Sequence, residues 1–380
     1  MQAFDNKTDL LSRLNLRGPL IQAPMAGGAT TPELVAAVSN AGALGSLGGA
    51  YLNPAELESS IRQIKTHTDR PFAVNLFSPC VDPLLSEDQI RAAINATKSY
   101  RQKLGIPDPN LRPPFSHNFE DQFAVILRER PAVFSFTFGL PNDRFLEQCR
   151  KLGILVFGTA TTPDEGLALE EAGVDAVVAQ GAEAGAQRGT FSVQKEDLFI
   201  GLAALIPALV SRLHVPVIAA GGIMNGQGIA AALALGAHAA QLGTAFLACD
   251  QSGISTTYRC ALLDPKPKAT RLTRAFSGRW ARGLENQFIV EMAAKENAIL
   301  PFPAQNAFTQ DIRKKAAELD RADYLSLWAG QGVGLIRAMK AETLVETLFK
   351  ETVEAVNRAD RYLRLEFSLK GDQPPGRPAS

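Results

Sequence analysis

Short apolar runs alternate with helically patterned stretches over most of this chain. The runs are Leu20–Met25, Leu44–Leu47, Pro71–Leu76, Ala132–Phe136, Ile154–Phe157, Val174–Ala179, Val217–Ala220 and Ala240–Leu242. None shows a dominant alternation of apolar and polar positions, which is the pattern of parallel strands covered on both faces. Between them, Leu57, Ile61 and Ile64 form an apolar stripe at four- and three-residue spacing. Thr31-Pro32-Glu33 and Thr162-Pro163-Asp164-Glu165 each combine a hydroxyl cap, a proline at the first helical position and an acid near the positive helix end. Further helices are expected over 119–130, 143–152, 198–210 and 226–236. Eight βα repeats predict an α/β chain folded as a (β/α)8 TIM barrel. A doubly wound sheet would carry GxGxxG after its first strand, and Met25-Ala26-Gly27-Gly28 does not supply it.

The same pattern predicts the domain organisation. Residues 1–246 form the barrel, with a long insertion at about 77–119 that is expected to cover its mouth and to hold a polar helix near 86–104. After Phe246 the βα rhythm stops. Residues 247–360 read as an accessory helical lid, with helices near 285–297, 310–319 and 335–357. Residues 361–380, ending in GDQPPGRPAS, read as a tail.

Composition narrows the function classes. With 380 residues and 46% hydrophobic content, the chain can bury a large core. Its 39 basic and 39 acidic side chains argue against nucleic acid as a partner. No uninterrupted stretch of eighteen apolar residues predicts a membrane span, and the first residues have no export pattern. Cys80, Cys149, Cys249 and Cys260 have no CxxC spacing, so free thiols in the cytoplasm are expected. The four histidines have no ligand spacing, and no metal site is expected. His67, His214 and His238 fall at the bottom of the barrel. His117, in the long insertion, is a candidate for the active-site face. A homodimer is left open.

The candidate chemistry gathers at the C-terminal ends of the strands. Val215 to Thr244 holds two consecutive glycine turns, Gly221-Gly222 and Gly243-Thr244, at the ends of the seventh and eighth barrel strands. Backbone N–H groups in such turns make a phosphate cradle. Asn75, Thr137, Gln180, Glu183, Gln187 and Gln241 lie near other strand ends, where amides suit the polar edge of a planar heteroaromatic ring. Ala23, Pro24 and Met25 would lie against such a ring. Together these features describe a flavin mononucleotide (FMN) site. Glu183 is equally suited to supporting its own glycine loop.

These segments also carry a family resemblance. QAPMAG at 22–27, NLFSP at 75–79, SFTFGLP at 135–141, GVDAVVAQGAEAG at 173–185, PVIAAGGI at 216–223, LGTAFL at 242–247, FSGRWARGL at 276–284 and LWAGQGVGL at 327–335 resemble the nitronate monooxygenases of class I, formerly called 2-nitropropane dioxygenases. The chain is more distantly similar to FMN-dependent enoyl-acyl-carrier-protein reductases. The resemblance implies a TIM barrel with a helical domain, bound FMN, and oxidation of small anionic alkyl nitronates by molecular oxygen. It implies that Pro24, Met25, Asn75, Gln180 and Gly185 surround the flavin. Gly221, Gly222, Gln241, Gly243 and Thr244 would hold the ribityl phosphate. The Trp328 to Gln331 turn, with Gly330 and Gln331, would approach from the C-terminal domain.

Two positions depart from the family pattern. Where the family usually has GAEAGGHRG, this chain has GAEAGAQRG, so Ala186 replaces glycine and Gln187 replaces the catalytic histidine. Where it often has SFHFG, this chain has SFTFG, with Thr137. Glutamine cannot act as a general base. The expectation is oxidation of preformed nitronates, with Gln187 and Thr137 donating hydrogen bonds to the nitro oxygens, and little turnover of neutral nitroalkanes. Two alternatives are an NAD(P)H-dependent FMN reductase acting on a quinone or enoyl substrate, and a non-catalytic flavin-binding protein. Arg188 is a candidate anion attractor, and Arg279 and Arg282 are expected to lock the accessory segment onto the barrel.

Overall fold

The computed structural model describes residues 10–191, 198–264, 266 and 269–371. Its main sheet contains β1 (Leu20–Gln22), β2 (Gly45–Gly48), β3 (Phe72–Phe77), β4 (Val133–Thr137), β5 (Leu155–Ala160), β6 (Ala176–Gln180), β8 (Val217–Ala220) and β9 (Ala239–Leu242). The strand order is β1-β9-β8-β6-β5-β4-β3-β2, and the pairings that carry a register are parallel. The predicted strands are found within a few residues of their expected limits. Closure between β1 and β2 rests on a short seam. Ile21 and Leu44 form a parallel bridge. Buried Gln22 extends the seam with its amide, donating from Nε2 to Ser46 O (3.1 Å) and accepting at Oε1 from Ser46 N (3.0 Å). The result is the eight-stranded TIM barrel.

Inside it, Ile21, Leu44, Val133, Phe157, Val178 and Ile218 share one apolar cluster with Leu10 and Leu14. The helix Leu10–Arg13 and the turn after it thereby contribute to this cluster. Around the outside, the barrel helices bury their apolar stripes as the sequence predicts. In the helix Pro54–His67, Leu57, Ile61 and Ile64 are the buried residues, and Asn53 and Glu56 form a capping box.

Residues beyond β9 depart from the expected helical lid in three ways. First, β10 (Thr270–Thr273) and β11 (Ala281–Leu284) form an antiparallel pair, and β11 also pairs with β7 (Ala186–Gln187) from the loop after β6. Second, the last helix runs Ala341–Gly371, starting later than 335 and running through 361–371, which read as tail. The reason for the late start is local: Leu335 closes a 3-10 turn and Ile336 is extended. Third, this helix lies on the barrel wall. Leu344, Val345 and Leu348 pack with Leu34 and Val38 of the first barrel helix, Pro32–Asn40, and with Ile229 and Ala232 of the seventh, Gly226–Ala234. Each such buried side chain contributes roughly 1.5–3 kcal/mol. The helix thus fills the eighth place in the ring, and residues 248–340 sit between the eighth barrel strand and its helix.

The insertion after β3 does not roof the barrel. Its helix Glu87–Leu104 sends Tyr100 and Leu104 into the accessory core with Phe276, Phe288, Ile312 and Tyr324. Arg101, buried, donates to Asp311 (2.6 Å) and to Phe308 O (2.9 Å). The insertion is a buttress for the lid. The helix expected from 198 begins at Leu202, because Phe199 takes a positive φ and Gly201 is the N-cap. Residues 372–380 of the expected tail lie outside the described residues. No described helix is long and apolar enough to cross a membrane.

Candidate active site

A cavity of about 470 Å³ opens at the C-terminal ends of the strands, beneath the accessory segment. That size is in the range of about 300–1,000 Å³ for small-molecule and cofactor sites. One wall is made of backbone. After β8 the chain turns through Gly221 (φ 130°) and Gly222 (φ 68°), conformations that L side chains rarely adopt. A Cβ on Gly222 would also come within 3.0 Å of Glu183 Cβ. After β9, Gly243 and Thr244 line the same wall. Among the described residues, no protein acceptor takes the amide N–H of Gly222 or Thr244. These donors and the open surface of the glycines fit the phosphate of FMN.

Ala23, Pro24, Met25, Asn75, Gln180, Gly185 and Gln241 continue around the cavity, so these expected cofactor residues are brought together. Asn75 donates from Nδ2 to Ser135 Oγ (2.9 Å), which leaves its Oδ1 free to accept. Gln180 is a different case. Its Nε2 donates to Gln187 O (3.1 Å) and its Oε1 accepts from Gly189 N (2.7 Å), so its amide holds the loop rather than presenting itself to a ring. Glu183 supports the following helix rather than its own glycine loop. Its carboxylate accepts from Leu202 N (2.9 and 3.1 Å) at the start of a helix whose N-cap glycine has no side chain to do so. Gly330 and Gln331 stand one layer back from the cavity. Gly330 N donates to Thr244 Oγ1 (2.9 Å) and Gln331 N to Glu183 O (2.9 Å), tying the accessory segment to both loops.

The opposite wall is made of side chains. Thr137 ends β4, with its hydroxyl 3.3 Å from that of Thr159. Gln187 sits on β7, pinned between barrel and accessory hairpin by its pairing with Ala281 and by Arg188 N donating to Trp280 O (2.8 Å). Ala186, standing where the resemblance expects glycine, has φ 61°. Gln187 Nε2 donates to Tyr51 Oη (3.2 Å). Burial pushes the Tyr51 hydroxyl above its ordinary value, against the opposing pull of Arg313, the Gln187 hydrogen bond and Arg279. Phe77 meets Tyr51 edge-on at 5.3 Å and Phe138 at 4.4 Å, and all three rings line the cavity. Phe138 itself holds φ 78°.

Several expected residues lie elsewhere. His117 is exposed beside the N-cap of the helix Phe119–Glu129 and does not reach the cavity, because from that insertion only Phe77 does. Arg188 is turned inward: its guanidinium donates to Gln180 O (3.1 Å) and Gly181 O (2.8 Å). Arg279 and Arg282 do lock the two parts together, donating to Thr190 O (2.8 Å) and Ala182 O (3.2 Å) respectively. Burial holds Arg279 down to about 10. At the barrel's other end, His214 meets Glu170 at 3.4 Å and His238 Nδ1 accepts from Val217 N (3.2 Å). Among the described residues, no three metal-ligating side chains gather.

Trp328, from the turn expected to approach the site, does line the cavity, whereas sequence reasoning missed Tyr51, Phe138, Tyr258 and Arg313. Tyr51 had a signal, since it follows Gly48-Gly49-Ala50 at the exit of a strand. Arg313 had none, since Arg313-Lys314-Lys315 reads as a solvated helix face. Among the described residues, the cavity lining contains no His, Asp, Glu, Lys or Cys.

Comparison with known proteins agrees with this geometry. A family model described as nitronate monooxygenase matches residues 8–351. A probable nitronate monooxygenase of Staphylococcus saprophyticus is 40% identical over 353 residues, 92% of this chain and 99% of that protein. One from Staphylococcus aureus is 40% identical over 91% of this chain and 97% of its own length. Among solved structures, nitroalkane oxidase from Streptomyces ansochromogenes superposes with a TM-score of 0.87 at 40% identity, covering 92% of this chain and 99% of that one. FabK from Thermotoga maritima gives 0.72 at 28% identity, covering 93% and 99%.

Proposed function

This chain belongs to the nitronate monooxygenase family and is an oxidoreductase, and we propose that it binds FMN in the cavity described above and uses it to oxidise alkyl nitronates with molecular oxygen. Gly221, Gly222, Gly243 and Thr244 would hold the phosphate through backbone amides. Asn75 would meet the polar edge of the ring, and Ala23, Pro24 and Met25 its face. Bound FMN supplies the redox chemistry, taking electrons from the substrate and passing them to oxygen.

The observation that carries the substrate assignment is that no base lines the cavity among the described residues. A neutral nitroalkane must lose its α-proton before oxidation, whereas a nitronate has already lost it. Gln187 and Thr137 do not titrate near neutral pH. Tyr51 is held protonated by burial, so it donates a hydrogen bond and does not take a proton. What these residues do is bind: hydroxyl and amide donors face the place where an oxyanion would lie.

Two measurements test this reading. Purified protein should be yellow, with a flavin spectrum and released FMN identified by mass. Propionate 3-nitronate should be turned over far faster than nitroethane under identical conditions, and rapid nitroethane turnover would overturn the assignment. A reductase reading draws on the apolar side of the cavity, with Phe77, Leu247, Ile254, Leu325 and Trp328. Flavin bleaching on anaerobic mixing with NADH or NADPH would favour it.

A further inference from the structure

Arg313 projects from the accessory helix Gln310–Glu318 into the same cavity. Its guanidinium is anchored on one side only. Nη2 donates to Asn306 O (2.7 Å) and Asn306 Oδ1 (3.0 Å), and Nε to Thr309 O (3.4 Å). Among the described residues, no protein acceptor meets Nη1 and no carboxylate lies in ion-pair contact with the group, although the Asp311 charge acts on it. Arginine stays cationic in proteins. An unpaired cation among apolar neighbours such as Ala317 and Leu325 is costly unless a counter-charge arrives. Tyr51 lines the same cavity. The Tyr51 hydroxyl already accepts from Gln187, so its own proton is free to be donated.

We propose that Arg313 Nη1 and Tyr51 Oη form a two-donor oxyanion station that binds the charged head of the substrate and sets it beside Gln187. This deepens the nitronate reading and rests on it. The station answers how a cavity with no base among its described residues selects an anion: the accessory segment brings a fixed positive charge, and the barrel brings a neutral donor. A planar head with two oxygens suits this pair, one oxygen for Nη1 and one for the Tyr51 hydroxyl. The same donors would take a carboxylate, so the test separates the two.

The experiment uses the FMN-loaded protein with sodium nitrite, a planar two-oxygen anion, and sodium propionate as equilibrium probes in calorimetry. Ethyl nitronate provides the kinetics. Arg313→Gln should weaken binding of one probe by about tenfold or more and raise KM for ethyl nitronate by more than it lowers kcat. Arg313→Lys should recover most of the affinity, and Tyr51→Phe should cost about three- to tenfold. Loss of nitrite binding assigns the station to the nitro head. Loss of propionate binding alone assigns it to a carboxylate. If Arg313→Gln leaves both affinities and KM unchanged in protein with an unaltered melting temperature, the station is refuted. If Arg313→Gln is poorly folded, the comparison of Arg313→Lys with Tyr51→Phe decides: affinities equal to wild type in both refute it. Nitrite binding through Arg313 in a protein that oxidises no nitronate would keep the station and remove the nitronate reading. Nitronate oxidation indifferent to Arg313 would do the reverse.

Discussion

The two walls of the cavity are built from different materials. The glycine wall, from Gly221-Gly222 and Gly243-Thr244, presents backbone held by consecutive barrel units. The facing wall, from Tyr51, Thr137, Gln187 and Arg313, presents side chains from four separate stretches, one of them in the accessory segment. Backbone amides offer the same donors whatever the neighbouring side chains are, so the glycine wall suits a constant ligand. Side chains can be exchanged singly, so on the proposed reading the facing wall would set substrate choice. On the proposed reading, Gln187 at the position where the resemblance expects histidine, beside intact glycine turns, would be that division at work.

The most direct way to break the comparison is Gly222→Val. It forces a branched residue into a left-handed conformation and drives a Cβ toward Glu183. Flavin affinity should fall about 5- to 150-fold, given a cost of roughly 1–3 kcal/mol, read as flavin lost on desalting. Retained full flavin would show that the turn does not hold the phosphate.

The facing wall is tested by gain rather than loss. Restoring the family's glycine–histidine pair, as Ala186→Gly combined with Gln187→His, removes the strained φ of 61° at Ala186 and supplies a base. Nitroethane kcat/KM should rise at least about tenfold, within the roughly 10²–10⁴-fold that general bases contribute, and should fall again below the imidazole pKa. No gain would mean that position 187 does not touch the reacting carbon.

Smaller effects sharpen the support behind the glycine wall. Glu183→Ala leaves Leu202 N without its acceptor and should cost about 1–2 kcal/mol in denaturant unfolding, with FMN binding weakened less than by Gly222→Val. Least of all is a pH effect at Glu351, which accepts from Gly226 N (3.0 Å) and Arg337 Nη1 (2.6 Å). Burial raises its pKa, but the Arg337 hydrogen bond, the Gly226 amide and the Arg337 charge together outweigh that and hold it below the ordinary value. Its contribution is therefore complete above the unfolded carboxyl pKa and disappears as pH falls through the lower folded one. Melting temperatures of wild type and Glu351→Gln should converge as pH drops below about 4. A constant gap would exclude the carboxylate.

The barrel was legible because its strands are buried on both faces and leave uninterrupted apolar runs, and because helix starts such as Thr162-Pro163 are local signals. The glycine wall was legible for the same reason, since two turns and their strands are contiguous in sequence. The hairpin β10–β11 was not. Each strand is four residues long, Arg271 and Arg282 break the apolar pattern, and its third partner β7 is two residues from a distant loop. Placement by loop misled for His117, because a position in an insertion does not fix where a side chain points. Gln180 was correctly brought to the cavity, but its hydrogen bonds to Gln187 O and Gly189 N depend on a loop fold that spacing cannot show.

The seating of Ala341–Gly371 against the first and seventh barrel helices has a consequence for how the lid is tethered. The lid is moored at both ends, by β9 at one and by this stave at the other. A cover fastened twice can hinge but cannot drift away on a leash. Cutting the chain ahead of Ala341 would therefore do more than trim an end: it would pull a stave from the cask and release the cover in the same stroke.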